Sequence, residues 1–280
     1  MIVERAGAFV LMLAALSLVA PFCGAAERAW WVTSVDAATK LSSITVSDQS
    51  VVSIRIDGGG VQATATLDDI LPDGVDVDAL SILDDGRVVF STDVSFEIDG
   101  FSADDEDLVL NDSGVLDLVF DGSSLGIPGS ADIDAAHVES LAPLDVYYSF
   151  DAPVKIDSVV FADDDIIRFD GTTHSLVRLG ASMLGDEAPR ADIDALLVDP
   201  SNNQYFFSLD VAIESGPGRT EAGPEDIVVW FNDALWMLFD ASWAGISAPG
   251  LDLDALDIDL ALFADDFETG DTTEWATTTP

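Results

Sequence analysis

Basic residues are scarce in this chain. Ten Lys and Arg stand against 53 Asp and Glu in 280 residues, a formal charge of −43. That balance argues against nucleic acid or an anionic membrane as partner, because both are bound by Lys and Arg that displace counterions. Cysteine occurs once, at Cys23, and histidine only at His137 and His174. A disulfide framework or a Cys/His zinc site cannot be built from so few ligands. Beyond residue 26 no apolar run has the length of a membrane span. Disorder is excluded too, since 49% of the residues are apolar.

The first 26 residues have the form of a secretory signal. Arg5 supplies the positive start, Ala6 to Phe22 the apolar core, and Gly24 and Ala26 the small residues of a cleavage site. A membrane anchor is the alternative, although the run is short for one. Cleavage after Ala26 removes Cys23, leaving no thiol chemistry. The expected location is secreted or periplasmic, in a Gram-negative bacterium. Residues 27–263 then form one repeat domain, and residues 264–280 a flexible tail.

Internal repetition is the strongest signal that remains. Asp-x-Asp-Ala begins at Asp76, Asp132, Asp192 and Asp252, spaced by 56, 60 and 60 residues. Ser-x-Asp falls at Ser34/Asp36, Ser91/Asp93, Ser149/Asp151 and Ser208/Asp210, spaced by 57, 58 and 59. An acidic cluster running into apolar residues follows the last three, at Asp107-Leu108-Val109, Asp165-Ile166-Ile167 and Asp226-Ile227-Val228. Ser50-Val51-Val52 is a degenerate version. A fourth landmark is an apolar run ending in a turn, as in Leu118 to Ser123 and Leu238 to Ser242, with Leu176 to Gly185 as a weaker copy.

These runs are short, rich in Val, Ile, Leu and Phe, and bounded by turn-formers, so they predict strands. Asp85-Gly86 predicts a hairpin turn, because both residues tolerate positive φ. Asp199-Pro200-Ser201-Asn202-Asn203 predicts another. Helical periodicity is not sustained after residue 26, and the expected class is all-β.

Four strands in about 58 residues suggest the blade of a four-bladed β-propeller-like ring. The chain enters at Trp30-Trp31-Val32, the second strand of a repeat, and its last copy, Leu251 to Phe263, is an opening strand alone. Joined, the two pieces make one blade and hide an open edge. The expected blades are residues 30–74 plus 251–263, 75–130, 131–190 and 191–250. An open stack of small sheets and a β-sandwich are the alternatives.

Asp-x-Asp-Ala-Leu, Phe-Ser-x-Asp, Asp-Ile-Val and Leu-Phe-Asp-Gly-Ser resemble a repeat of uncharacterised exported bacterial proteins. The segment Phe263 to Asp271 with Trp275 resembles a tail common at the ends of Gram-negative secreted proteins. The resemblance implies no activity. Repeat two departs from it, with Leu179-Gly180-Ala181 where Phe-Asp-Gly is expected.

The Asp pairs are the first chemical candidates. In an extended strand the two carboxylates of each pair share a face. If the opening strands lie innermost, Asp76, Asp78, Asp132, Asp134, Asp192, Asp194, Asp252 and Asp254 converge at one channel mouth. Buried charges need partners, and the basic residues are too few. Such an oxygen-rich set suits Ca²⁺ or Mg²⁺, so a calcium-loaded form is one expectation; Asp residues that only cap turns are the other. Gly122-Ser123-Ser124-Leu125-Gly126 matches Gly-x-Ser-x-Gly, but it sits in a repeated turn rather than between strand and helix. Met183 and Trp243 hold the place of Ser124 in the other copies. His137 is the one general-base candidate near the carboxylates. Trp230, Trp236 and Trp243 predict a blade interface rather than a sugar platform.

The expected function is an exported acidic binding or scaffold module, a monomer whose partner is an extracellular protein or glycan. The alternative is a secreted hydrolase of carbohydrate or phosphate esters working through the acidic mouth.

Overall fold

The computed structural model describes residues 29–34, 39–41, 44–46, 51–57, 60–65, 70–185, 190–215, 220–241 and 253–258. Residues 1–28 with Cys23, residues 259–280, Trp243 and Asp252 lie outside them. The described residues are all-β, in four four-stranded antiparallel sheets and four two-stranded hairpins.

The first sheet joins β1 (Ala29–Ser34), β4 (Val52–Asp57) and β5 (Gly60–Ala65) to β24 (Ala255–Ile258) from the far end of the chain. Val32 lies opposite Asp257 and Thr33 opposite Leu256. The second sheet runs β6 (Leu80–Ile82), β7 (Val88–Phe90), β10 (Leu108–Asp112) and β11 (Val115–Phe120). The third runs β12 (Ala135–Leu141), β13 (Leu144–Ser149), β16 (Ile166–Phe169) and β17 (His174–Arg178). The fourth runs β18 (Ala195–Asp199), β19 (Gln204–Ser208), β22 (Ile227–Phe231) and β23 (Ala234–Phe239).

Each repeat carries two strands more than its sequence predicts. The extra pair is a hairpin between the second and third strands of the sheet: β2 (Thr39–Leu41) with β3 (Ile44–Val46), β8 (Phe96–Ile98) with β9 (Phe101–Ala103), β14 (Val154–Ile156) with β15 (Val159–Phe161), and β20 (Ile213–Ser215) with β21 (Thr220–Ala222). The turn of β8–β9 is Asp99-Gly100, both at positive φ, the same signal that marks Asp85-Gly86. Among the described residues one short helix, α1 (Gly180–Met183), replaces the turn after β17.

Buried side chains fill the spaces between successive sheets. Leu80, Phe90 and Val109 pack with Val51 and Ala255 of the first repeat. Phe120 and Leu108 pack with Tyr148 and Phe169 of the third sheet. Tyr147 and Ile166 turn the other way, toward Leu196, Phe207 and Trp230 of the fourth. Neighbours along β13 therefore serve opposite cores, as strand alternation requires. Burial on both faces explains why these strands read as continuous apolar runs rather than as alternating ones.

The opening strands lie side by side: β24 against β6, β6 against β12, β12 against β18, and β18 against β24. Side chains join two of these pairs. The Ile82 N–H donates to Asp257 Oδ2 at 2.5 Å, and the Val138 N–H donates to Ser81 Oγ at 3.0 Å.

Candidate functional site

The Asp-x-Asp segments precede the opening strands rather than lying within them. Each middle residue is buried, with Val77, Ile133 and Ile193 at 0% exposure. The flanking Asp residues are less deeply placed: Asp76, Asp78, Asp132, Asp134 and Asp192 are half-buried, and Asp194 is buried. The first Asp of a pair also does local work. Asp76 Oδ1 accepts the N–H of Val77, and Asp192 Oδ1 that of Ile193. The Asp of Ser-x-Asp closes the same corner: the Asp76 N–H donates to Asp93 Oδ1, and the Asp192 N–H to Asp210 Oδ1, each at 2.7 Å. Turn capping thus accounts for part of the repeated acidity.

It does not account for the electrostatics. Burial pushes Asp78 up to about 10, helped by the charges of Asp132, Asp134, Asp93 and Asp254. Burial also pushes Asp132 up to about 8, reinforced first by Asp134, and Asp192 up to about 9, reinforced by Asp134. Asp254 precedes β24 and Asp192 precedes β18, so carboxylates from all four repeats fall within one another's field. Asp132 Oδ1 is buried with no hydrogen-bond partner. Among the described residues no three His, Cys, Asp or Glu already stand as a ready-made ligand shell.

The other repeated acids are structural. Asp107, Asp165 and Asp226 are each buried. Each carboxylate accepts one backbone N–H from three residues earlier and one from 15 residues later: Asp104 and Gly122, Ala162 and Gly180, Gly223 and Ala241. The clamp fixes the end of the outer hairpin in the second, third and fourth sheets. It also sets the alignment of the fourth landmark. Gly180 matches Gly122, so Leu179 takes the place of Asp121, and Ser182 rather than Met183 matches Ser124. Glycine is required at both positions, since a Cβ would lie 2.3 Å from the carbonyl oxygen of Glu106 or of Asp164.

Ser124 itself belongs to a cap. Its N–H and hydroxyl both donate to the carboxylate of Asp121. His174 packs nearby as a spacer between the second and third sheets, with Nδ1 2.5 Å from the Tyr148 hydroxyl and Nε2 3.0 Å from the Leu125 carbonyl. Trp230 is buried between the third and fourth sheets, edge-on to Tyr205, with the Arg178 guanidinium 4.7 Å from each ring. That is the interface role its sequence context predicts.

His137 lies elsewhere. It lines a cavity of about 500 Å³ between the β6–β7 turn, the second half of β12 and the β18–β19 turn, and none of the Asp-x-Asp residues reaches that cavity. Its imidazole is mostly buried, and neither ring nitrogen has a hydrogen-bond partner. Glu139, which the repeat pattern does not mark, stands beside it, with Oε2 3.6 Å from Nε2. A β-bulge between Val138 and Ser140 leaves Glu139 without a partner residue on β13. The pairing of β18 with β19 has no such irregularity.

No family model matches the chain, and no curated protein matches it significantly. It is similar to solved structures at low identity. One is a protein of unknown function from Bacteroides thetaiotaomicron, at 12% identity over 75% of this chain and 50% of that one, with a TM-score of 0.31. Another, from Bacteroides caccae and also of unknown function, shows 8% identity over 82% and 98%, with a TM-score of 0.34. A third is the β-propeller domain of Cps50 (Swd1) from Myceliophteria thermophila, at 11% identity over 85% and 75%, with a TM-score of 0.30. The chain thus spans half the length of the first of these relatives. Scores this low leave the class of protein to the strand pairing, which defines an all-β repeat protein of antiparallel sheets.

Proposed function

We propose that the four sheets close into a β-propeller-like ring, and that its acidic end takes up a hard divalent cation, Ca²⁺ first. The protein is then an exported binding or scaffold module, secreted or periplasmic, that presents a cation-loaded surface to an extracellular protein or glycan. The pairing of Thr33 with Leu256 supports the ring, as does the side-by-side order of β24, β6, β12 and β18. One observation carries the cation: Asp78, Asp132 and Asp192 are pushed far above the usual carboxylate range by burial and by neighbouring carboxylates, Asp134 acting on all three. At neutral pH such a cluster must hold either protons or a cation. Oxygen ligands of this kind favour Ca²⁺, which keeps waters in its shell and accepts irregular geometry. The alternative of a hydrolase is weaker, since His137 lies in a cavity that the Asp pairs do not line.

The test is a thermal melt at about pH 8 with EDTA and with millimolar Ca²⁺. Calcium should raise the Tm by several degrees, as a ligand bound only by the folded state does. An unchanged Tm removes the cation reading.

A further inference from the structure

The cavity around His137 lies apart from the acidic end, and its chemistry is specific. Its only aromatic group is the imidazole, so it offers no stacking platform for a sugar. Four acids line it, Asp84, Asp85, Glu139 and Asp199, against one Arg. That Arg is committed, because Arg87 Nε is paired with Asp85 Oδ2 at 2.8 Å. Asp199 is committed too, its oxygens accepting from Ser201 and Asn202 in the turn. Phosphates and carboxylates are repelled by such a lining. Ser140 and Ser201 add hydroxyls, and Ile82, Leu141 and Val198 give an aliphatic stretch of wall.

The position of His137 is itself informative. Three residues after the second Asp of each pair stand Ser81, His137, Leu197 and Asp257. Ser81 and Asp257 each accept a backbone N–H from the next opening strand. Neither ring nitrogen of His137 makes a hydrogen bond. A buried imidazole whose Nδ1 has no partner and whose Nε2 has only Glu139 at 3.6 Å is costly unless something polar visits it. The adjacent bulge leaves Glu139 free of a cross-strand neighbour, a device that recurs beside binding sites.

We propose that this cavity binds a small aliphatic amine, with its ammonium group against Glu139 and His137 and its carbon chain on Ile82, Leu141 and Val198. Polyamines, which carry ammonium groups on methylene chains, are the class that fits. The site is independent of the calcium reading, so each can fail without the other.

The experiment is titration of the whole protein with spermidine, followed by calorimetry and by the imidazole resonances of its two histidines. His137 should shift on saturation while His174 does not, and Glu139→Gln should weaken binding at least tenfold. Asp117→Asn, which removes an exposed acid elsewhere, is the control for diffuse attraction to a highly charged protein and should leave the affinity unchanged. Inorganic phosphate should not bind. Absence of a His137 shift, or equal losses in the Glu139 and Asp117 variants, overturns the proposal.

Discussion

Replacing Asp78 by Asn should flatten the dependence of stability on pH, and the sign follows from linkage. The carboxyls of Asp78, Asp132 and Asp192 titrate near their ordinary value of 3.8 when unfolded, and at about 10, 8 and 9 when folded. Between those limits the folded state holds more protons than the unfolded one, so stability falls as pH rises. Each retained proton contributes a slope of about 1.4 kcal/mol per pH unit. Three acting at full strength would consume the roughly 5–15 kcal/mol of a typical domain within about 3 units, so solvent screening or a cation relieves part of the load. For one carboxyl, the slope corresponds to a Tm loss of about 3–6 °C per pH unit in a domain of this size. Melts in EDTA from about pH 5 to about pH 8 should show a falling Tm in the natural protein. Asp78→Asn should show a slope shallower by about one proton, and the two should converge near the acid end. Asp170, held at about 2 by the hydroxyls and N–H groups of Thr172 and Thr173, works in the opposite sense. Its contribution is present above the ordinary carboxylate range and is lost only in stronger acid. A flat or rising Tm between about pH 5 and about pH 8, with the same profile in the variant, refutes the reasoning.

Asp165→Ala strips the acceptor from two backbone N–H groups, and chemical denaturation should show a loss of about 2–4 kcal/mol. A chain ending at residue 250 lacks β24, so β1 loses its pairing with that strand. Its melt, followed by near-ultraviolet circular dichroism, should be broader and lower in Tm than that of the full chain.

Much of the architecture could be read before any coordinate. The Asp85-Gly86 turn shows in the pairing of Ile82 with Val88, and the two ends of the chain pair because Trp31-Val32 and Leu256 supply complementary halves of a repeat. The hairpins β8–β9 and β14–β15 turn at Asp99-Gly100 and Asp157-Ser158, of which the first carries the same Asp-Gly signal. They were hidden by their shortness, three residues a side. The shifted alignment at Leu179-Gly180 was hidden by similarity of composition, whereas the constant interval from Asp165 to Gly180 would have revealed it. The Glu139 cavity had no linear signature. It depends on a bulge in one strand and on the approach of turns from the two flanking sheets, which spacing along the chain does not encode.

The lateral seam between β1 and β24 has a consequence for the order in which the molecule can be assembled. Val32 is made some 225 residues before its partner Asp257, so over that interval of synthesis the first repeat carries an exposed edge of backbone donors and acceptors. Sealing that edge waits until β24 has emerged. Until then an emerging chain offers a template to other strands, and its protection rests on the mutual repulsion of its own acidic loops.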